Sequence, residues 1–224
     1  ATLTGSSMLD TSAANGNIAI ASVVAGGGHA LALKTGTGTT SLGDVANAGS
    51  ITALGAVTLT GTNYGAGAET LGATTLTGDT TFNTGDGNVV LASLIGGGHA
   101  ATVVAGNTSL GNVANAGGVA VNGAATLTGS SYSGSSFAFG GPVALTNDTT
   151  LGATGAITLA SLDGGGNDLA VTSGTASLGN VANAGALSVT GPATLTGTSY
   201  VAGSIGLGAT TLTGNTTLDT SAAK

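Results

Sequence analysis

Apolar and polar residues alternate in short segments along the whole chain. Between residues 144 and 190 these segments include "ALT", "AITLA", "LAV" and "LSV", and each is bounded by Gly, Asn or Ser. Alternation over four to six residues between turn formers is typical of a strand that buries one face. The i, i+3, i+4 spacing of an amphipathic helix does not occur. The pattern therefore predicts an all-β protein built from many short strands.

These segments are organised in a long repeat. "SLGDVANAG" at 41–49 returns as "SLGNVANAG" at 109–117 and again at 177–185, so the two intervals are equal. "LTGTNY", "LTGSSY" and "LTGTSY" begin at positions 59, 127 and 195, which are separated by the same interval. "GGGH" at positions 26 and 96 corresponds to "GGGN" at 164. A regular period of this kind is the signature of a stacked repeat architecture.

We divide the chain into superrepeats of about 68 residues within one domain, 1–224. They span about 2–74, 75–143 and 144–210, and a fourth copy starts at 211–224. The first residue is not Met and no signal peptide is visible, so we expect a processed product or an excerpt of a longer protein.

Each superrepeat contains a shorter theme of three strand segments in roughly 20–24 residues. About ten such units predict a parallel β-helix (a β-solenoid) with a roughly triangular cross-section and about ten coils. In "TLTG" the Leu points into the core and the Thr residues point outward. We expect the repeated phrase to return to the same corner at every third coil.

This expectation predicts ladders of equivalent side chains along the rod. Asn47, Asn115 and Asn183 would form one ladder of turn residues, and Asp44, Asn112 and Asn180 would form another. Tyr64, Tyr132 and Tyr200 recur at the same interval. We expect them to cap one edge of the core with their hydroxyls exposed, and stacking on sugars is the alternative role for the three rings.

Composition narrows the classes of function. Gly contributes 43 residues and only 5% of the residues are charged, but 41% are hydrophobic, which does not fit a disordered chain. The net charge is −7, Lys34 and Lys224 are the only cations, and Arg is absent. A nucleic-acid partner, which needs a basic face, is therefore excluded. No apolar run approaches about 18 residues, so a membrane-embedded chain is excluded as well.

Few residues are of the types that form catalytic or metal-binding sites. With no Cys or Arg, and with acidic residues spread along the repeat, we expect no catalytic site and no enzyme activity. "LDGGGNDLAV" at 162–171 is similar to the calcium-binding nonapeptide G-G-x-G-x-D-x-U-x, which makes Asp163 and Asp168 candidate calcium ligands. The segment occurs once, whereas such sites need ligands from consecutive turns. We therefore expect no cofactor, with calcium as the alternative.

The segments "TLTG", "TTLG", "AITLAS" and "SLGNVANAGALSVTG" resemble the repeat regions of bacterial exported β-helix proteins. These are the filamentous-haemagglutinin-like exoproteins and the autotransporter passenger domains. The resemblance extends over the entire chain. It implies secretion, a right-handed parallel β-helix, and a role in adhesion, biofilm cohesion or surface coating, with host or matrix glycans as candidate partners.

We therefore expect a non-enzymatic extracellular structural protein, a segment of a bacterial surface filament, sheath or matrix fibre. Both ends are ordinary repeat sequence, which favours head-to-tail association with copies of itself unless the chain is an excerpt of a longer rod. The low charge and the hydroxyl-rich surface favour lateral association as well. The first alternative is the stalk of a large adhesin that mediates attachment. The second is an ice-binding β-helix that uses ranks of T-x-T segments, which occur at 2–4, 58–60, 75–77, 126–128, 194–196 and 211–213.

Overall fold

The computed structural model describes residues 1–221. Short strands dominate this part of the chain, and the only helix in it is one 3-10 turn at Ser12–Ala14. Within it, no helix is long and apolar enough to span a membrane. The strands are β1 (Ser7–Asp10), β2 (Ile18–Ile20), β3 (Val24–Ala25), β4 (Ala30–Lys34), β5 (Thr39–Leu42), β6 (Val45–Ala48), β7 (Ser50–Ala53), β8 (Ala56–Leu59), β9 (Asn63–Ala66), β10 (Glu69–Leu76), β11 (Thr80–Asn83), β12 (Asn88–Ile95), β13 (Ala100–Val104), β14 (Asn107–Ala116), β15 (Gly118–Val121), β16 (Ala124–Leu127), β17 (Ser131–Gly134), β18 (Phe137–Leu145), β19 (Thr149–Ala153), β20 (Ala156–Asp163), β21 (Leu169–Thr172), β22 (Thr175–Thr190), β23 (Ala193–Leu195), β24 (Ser199–Leu207), β25 (Thr210–Leu212) and β26 (Thr217–Asp219).

The strands stack in parallel as a β-solenoid of about eleven turns, which confirms the predicted parallel β-helix. Each strand between the first and the last described coils pairs with the strand one coil before it and with the strand one coil after it, and three strand segments make a coil. The solenoid therefore has three faces, each with a column of inward-pointing residues in register.

The three columns define the faces. Face 1 contains Ser7, Leu31, Ile51, Glu69, Val89, Thr108, Ala125, Val143, Leu162, Val181, Tyr200 and Leu218. Face 2 contains Ile18, Thr40, Val57, Thr74, Leu94, Val113, Tyr132, Leu151, Val171, Val189 and Leu207. Face 3 contains Val24, Val45, Tyr64, Phe82, Val103, Val121, Phe139, Leu159, Leu178, Leu195 and Leu212.

The columns form one continuous hydrophobic core. Strands such as β7 and β8 alternate between a buried residue and a half-buried or exposed one, as the sequence pattern predicts. A fully buried Leu or Val side chain contributes about 1.5–3 kcal/mol through the hydrophobic effect. Stacking of mostly apolar side chains along each face therefore stabilises the rod without any disulfide.

Most coils are shorter than the sequence theme predicts. The coil from Thr108 to Ala125 is among the shortest, and the coil from Glu69 to Val89 only reaches the lower end of the expected range. The coil from Ser7 to Leu31 alone reaches the upper end. The expected length was too great because Gly and Ala bring the chain directly from one face to the next. In β10, for example, Leu71 lies on face 1 and Thr74 already lies on face 2.

The superrepeat is not a whole number of coils. From Val45 to Val113 the chain adds eleven face segments, which are β7, β8, β9, β11, β13 and the two halves of β10, β12 and β14. With three segments to a coil, one superrepeat is three and two-thirds coils. Val45 accordingly lies on face 3, Val113 on face 2 and Val181 on face 1.

The expectation that the phrase returns to one corner at every third coil is therefore wrong. Asn47, Asn115 and Asn183 follow Val45, Val113 and Val181 by two positions, so they lie at three different corners and form no common ladder. The same holds for Asp44, Asn112 and Asn180, and for Tyr64, Tyr132 and Tyr200, which belong to faces 3, 2 and 1. The division into superrepeats stays a prediction, and its fourth copy at 211–224 extends beyond the described residues.

Candidate functional site: the repeated corner clamp

The recurrent phrases meet in space in neighbouring coils. In the first copy the hydroxyl of Tyr64 donates to the carbonyl oxygen of Leu42 at 2.7 Å and accepts from the backbone N–H of Gly61 at 3.0 Å. Asp44 Oδ1 accepts from the backbone N–H groups of Thr62 at 2.6 Å and Asn63 at 2.9 Å. We call this set of bonds the corner clamp, and it joins "SLGDVANAG" in one coil to "LTGTNY" in the next.

The second copy builds the same clamp at the next corner. Tyr132 Oη lies 2.7 Å from Leu110 O and 2.9 Å from Gly129 N. Asn112 Oδ1 accepts from the N–H groups of Ser130 at 2.8 Å and Ser131 at 3.1 Å.

The third copy again matches, at the remaining corner. Tyr200 Oη lies 2.6 Å from Leu178 O and 2.9 Å from Gly197 N. Asn180 Oδ1 accepts from Thr198 N at 2.7 Å and from Ser199 N at 3.1 Å. Each superrepeat therefore contains one corner clamp, and the three copies occupy the three corners of the rod in turn.

Glycine in the "LTG" segment is required by close approach of the backbone. A Cβ atom on Gly61 would lie 2.4 Å from the backbone nitrogen of Asp44, and one on Gly129 would lie 2.4 Å from that of Asn112. Contacts under about 3.0 Å do not occur for real Cβ atoms, so any side chain there would push the two coils apart. This approach allows Asp44 to reach the N–H groups of the next coil.

The "GGGH" segment completes the unit from the preceding coil. Gly27 and Gly28 have φ values of +58° and +77°, and Asn47 has φ +55°, so both turns use the left-handed region that favours Gly and Asn. Gly28 N donates to Asn47 O at 2.7 Å, and Gly49 N donates to His29 O at 2.8 Å. Each superrepeat therefore links three successive coils, and its Asn functions as a turn residue.

The tyrosines are placed differently from the sequence expectation. Tyr64, Tyr132 and Tyr200 are at most 1% exposed and belong to the core, and their hydroxyls are buried in the clamp. The expectation of exposed hydroxyls is wrong because each phenol lies in the core and is itself paired there, accepting from a Gly N–H and donating to a Leu carbonyl. Burial raises the pKa of Tyr64 and of Tyr132 to about 12, so both stay protonated at physiological pH. Rings in this position have no free face for a sugar.

Of the two candidate calcium ligands, Asp163 accepts hydrogen bonds through its carboxylate, whereas Asp168 takes part through its backbone N–H. Asp163 Oδ1 accepts from Gly165 N at 3.1 Å and from Asn183 Nδ2 at 3.2 Å. Asp168 N donates to the Asp148 carboxylate at 2.9 Å. Among residues 1–221, no three His, Cys, Asp or Glu side chains gather into a group that could hold a metal ion.

The outer threonines also have a structural role. In four of the T-x-T segments the hydroxyl of the second Thr donates to a Leu carbonyl of the preceding coil, as Thr60 does to Leu42 O at 3.2 Å and Thr77 to Leu59 O at 3.0 Å. The segments are distributed over all three faces. The longest stacks of T-x-T on T-x-T within the register of named strands are pairs, such as Thr58 with Thr75.

Comparisons with protein-family models, curated proteins and solved structures find no match to this chain. A proposal of function therefore rests on the corner clamps and on the buried columns of the core.

One side chain of interest was missed from the sequence. Glu69 is 0% exposed, and neither of its carboxyl oxygens has a hydrogen-bond partner. Its signal was present in the repeat, since Glu69 occupies the position of Phe137 in the second copy and of Ile205 in the third. An acid at an apolar position of an alternating strand is the pattern that could have identified it.

Proposed function

We propose that this chain is a non-enzymatic structural rod, a segment of an extracellular filament, sheath or matrix fibre at a bacterial surface. The observation that carries the proposal is the superrepeat of three and two-thirds coils. It places a corner clamp at each of the three corners in turn, so the most regular feature of the sequence reinforces the rod evenly around its axis. Binding and catalytic sites instead concentrate their chemistry in one cleft or on one face.

The surface agrees with a passive role. Its threonine hydroxyls and Asx carboxyl or amide oxygens hold neighbouring coils together, and the chain has few charges. The resemblance to exported β-helix repeats supports secretion as part of the proposal. The mechanism is mechanical, because inter-coil hydrogen bonds and stacked aliphatic columns resist unfolding.

Assembly with further repeat sequence is the second part of the proposal. The phrase "TLTGSSMLD" at 2–10 recurs as "TLTGNTTLD" at 211–219, and Asp10 and Asp219 both lie on face 1. Another coil of repeat sequence would therefore continue the rod in phase, whether it came from the same chain or from another copy. Leu212 and Leu218 are core positions that are 54% and 50% exposed in the last described coil, and such a coil would cover them.

The adhesin stalk is the second candidate, since a stiff rod would also serve as a spacer. Ice binding is disfavoured by two observations. The T-x-T segments are divided among three faces, and four of their second hydroxyls donate to carbonyls within the rod. A flat rank of free hydroxyl and methyl groups is therefore not formed.

Electron microscopy of the purified chain over a range of concentrations tests the proposal. We expect unbranched fibres with an axial spacing of about 4.8 Å, and we expect the variant Leu212→Asp/Leu218→Asp to give short rods only. Leu54→Asp is the matched control, because Leu54 is 67% exposed at a lateral corner. Short rods from the wild-type chain at every concentration would overturn self-assembly and favour the stalk.

A further inference from the structure

Glu69 lies inside the rod with no group to compensate its charge. In the face 1 column its neighbours in the adjacent coils are Ile51 and Val89, both at most 1% exposed. The side chain is fully buried, and neither carboxyl oxygen accepts or donates a hydrogen bond. Burying an ionised carboxylate in such surroundings is strongly unfavourable, so the group is accommodated as the neutral acid.

The other copies show what the core normally contains at this position. Phe137 is 1% exposed and packs edge-on against Tyr132, with ring centroids 6.5 Å apart. Ile205 packs at the edge of the core in the third copy. Only the first superrepeat has a titratable group there, and the surrounding fold is the same.

No neighbouring charge offsets the carboxylate. The strands packed against β10 are β7, β8 and β12, and none of them carries a titratable side chain. Across the core the titratable group is the Tyr64 phenol, whose burial raises its pKa to about 12 and which therefore stays neutral up to pH 10. Burial alone raises the pKa of Glu69, so no neighbouring Asp or cation contributes to the shift.

We propose that Glu69 makes the core of the first superrepeat a pH-dependent weak point, closed while the carboxyl group is neutral and locally opened once its proton is released to water. Opening exposes the new carboxylate to solvent and separates β10 from β7 and β12. The second and third superrepeats do not respond, because they hold Phe137 and Ile205 at this position. The inference does not depend on whether the rod forms filaments.

The direction follows from the linkage between protonation and folding. Burial raises the pKa of Glu69 from its ordinary 4.5 to about 8. The folded core therefore binds the proton more tightly than the open chain does. Local stability is greatest below about pH 4.5 and falls as the pH rises toward 8, by about ten-fold per pH unit in the closing equilibrium. Above that range the loss is complete.

Hydrogen exchange of the intact chain, resolved by mass spectrometry between pH 5 and 9.5, tests this proposal. The readout is the protection of amides in β7, β10 and β12, compared with Glu69→Gln at the same pH to cancel intrinsic exchange rates. We expect wild-type protection to fall relative to Glu69→Gln by about 100- to 1,000-fold between pH 5 and 8. The amides of β18 and β24 serve as internal controls and should not change.

Two further variants make the result decisive. Glu69→Ile introduces the residue of the third copy and should remove the pH dependence, so a failure of the glutamine variant to fold does not end the test. Asp86→Asn removes an exposed carboxylate of a neighbouring loop and should leave the wild-type profile intact. Equal pH profiles for the wild type, Glu69→Gln and Glu69→Ile, or a fall in protection spread evenly over all three superrepeats, would overturn the proposal.

Discussion

The first and second superrepeats have the same corner clamp and different cores. Their tyrosine hydroxyls each lie 2.7 Å from a Leu carbonyl oxygen of the preceding coil. In the core of the first superrepeat, the ring of Tyr64 stacks on that of Phe82, with centroids 6.0 Å apart. Glu69 is buried there at the position that Phe137 occupies in the second superrepeat. Tyr132 instead meets Phe137, which stacks on Phe139 at 6.4 Å. A hydrogen-bonded corner requires particular donors and acceptors, whereas a core position requires mainly volume, so the corner is repeated more faithfully.

The largest effect is expected when the second core is given the residue of the first. Phe137→Glu removes a buried aromatic ring, which alone costs about 3–5 kcal/mol when Phe becomes Ala. It also buries a carboxyl group without a partner. We expect the free energy of unfolding of the second superrepeat to fall by at least this amount at pH 7, with a smaller loss at pH 4. Hydrogen exchange of β15, β18 and β20 measures it.

The exchange variant Glu69→Ile/Phe137→Glu is the control for position. If the buried acid is the cause, the pH-dependent opening should disappear from β10 and appear in β18. If pH-dependent opening remains in β10 after Glu69 has been replaced, the buried acid is not its cause. The opening would then be a property of that coil.

The next largest effect concerns the glycine of the clamp. Gly129→Ala places a methyl group 2.4 Å from the Asn112 backbone nitrogen, so the two coils must move apart. Overpacking of this kind typically costs about 1–3 kcal/mol. Gly78→Ala is the matched control, because a Cβ there meets nothing within 4 Å. We expect urea unfolding to separate the two variants, and equal midpoints would show that the corner tolerates the added methyl group.

Alternation and turn residues were sufficient to predict the architecture. Segments such as "AITLA" have a period of two, and in β20 Ile157 and Leu159 are buried while the residues between and beside them are exposed. Positive φ values at Asn47, Asn115 and Asn183 also agree with their prediction as turn residues. Both features are local, so the sequence around each residue determines them.

The phase of the repeat could not be predicted in this way. It depends on how many face segments fit into one superrepeat, and Gly72 or Gly111 can turn the chain within a single strand, β10 or β14, that the pattern alone does not divide. A coil of the length expected from the sequence makes the repeat about three coils, and the actual shorter coil makes it three and two-thirds. That difference decided whether equivalent residues form ladders. The buried hydroxyls of Tyr64 and Tyr132 depend on contacts between coils and were likewise beyond a local pattern.

Removing the tyrosine hydroxyl should destabilise the first and the second clamp equally. The loss should be smaller than that of Phe137→Glu and larger than that of a change of charge at Asp44. Tyr132→Phe leaves the Gly129 N–H without its partner, and Tyr64→Phe does the same to the Gly61 N–H. The Leu110 and Leu42 carbonyls each lose one hydrogen bond but still accept from Thr128 N and Thr60 N. An unsatisfied buried group costs about 1–3 kcal/mol. We expect the two variants to lose the same protection in the coils that they join. A much smaller loss at Tyr64 would show that the two corners are not equivalent and that Glu69 has already weakened the first.

The smallest effect distinguishes the two clamps by charge. Asp44 Oδ1 accepts at 2.6 and 2.9 Å, whereas Asn112 Oδ1 accepts at 2.8 and 3.1 Å, and hydrogen bonds to an ionised acceptor are the shorter and stronger kind. We expect Asp44→Asn to lose about 0.5 kcal/mol at neutral pH, a typical value for a surface electrostatic contribution. Asn112→Asp should gain less than that, because the chain already carries a net charge of −7.

Urea unfolding at low salt and at 1 M NaCl measures both changes. Salt should reduce the difference between the two variants, since these acceptors bond at solvent-exposed corners. A loss at Asp44→Asn that persists in 1 M salt would mean that acceptor geometry, not charge, separates the first corner from the second.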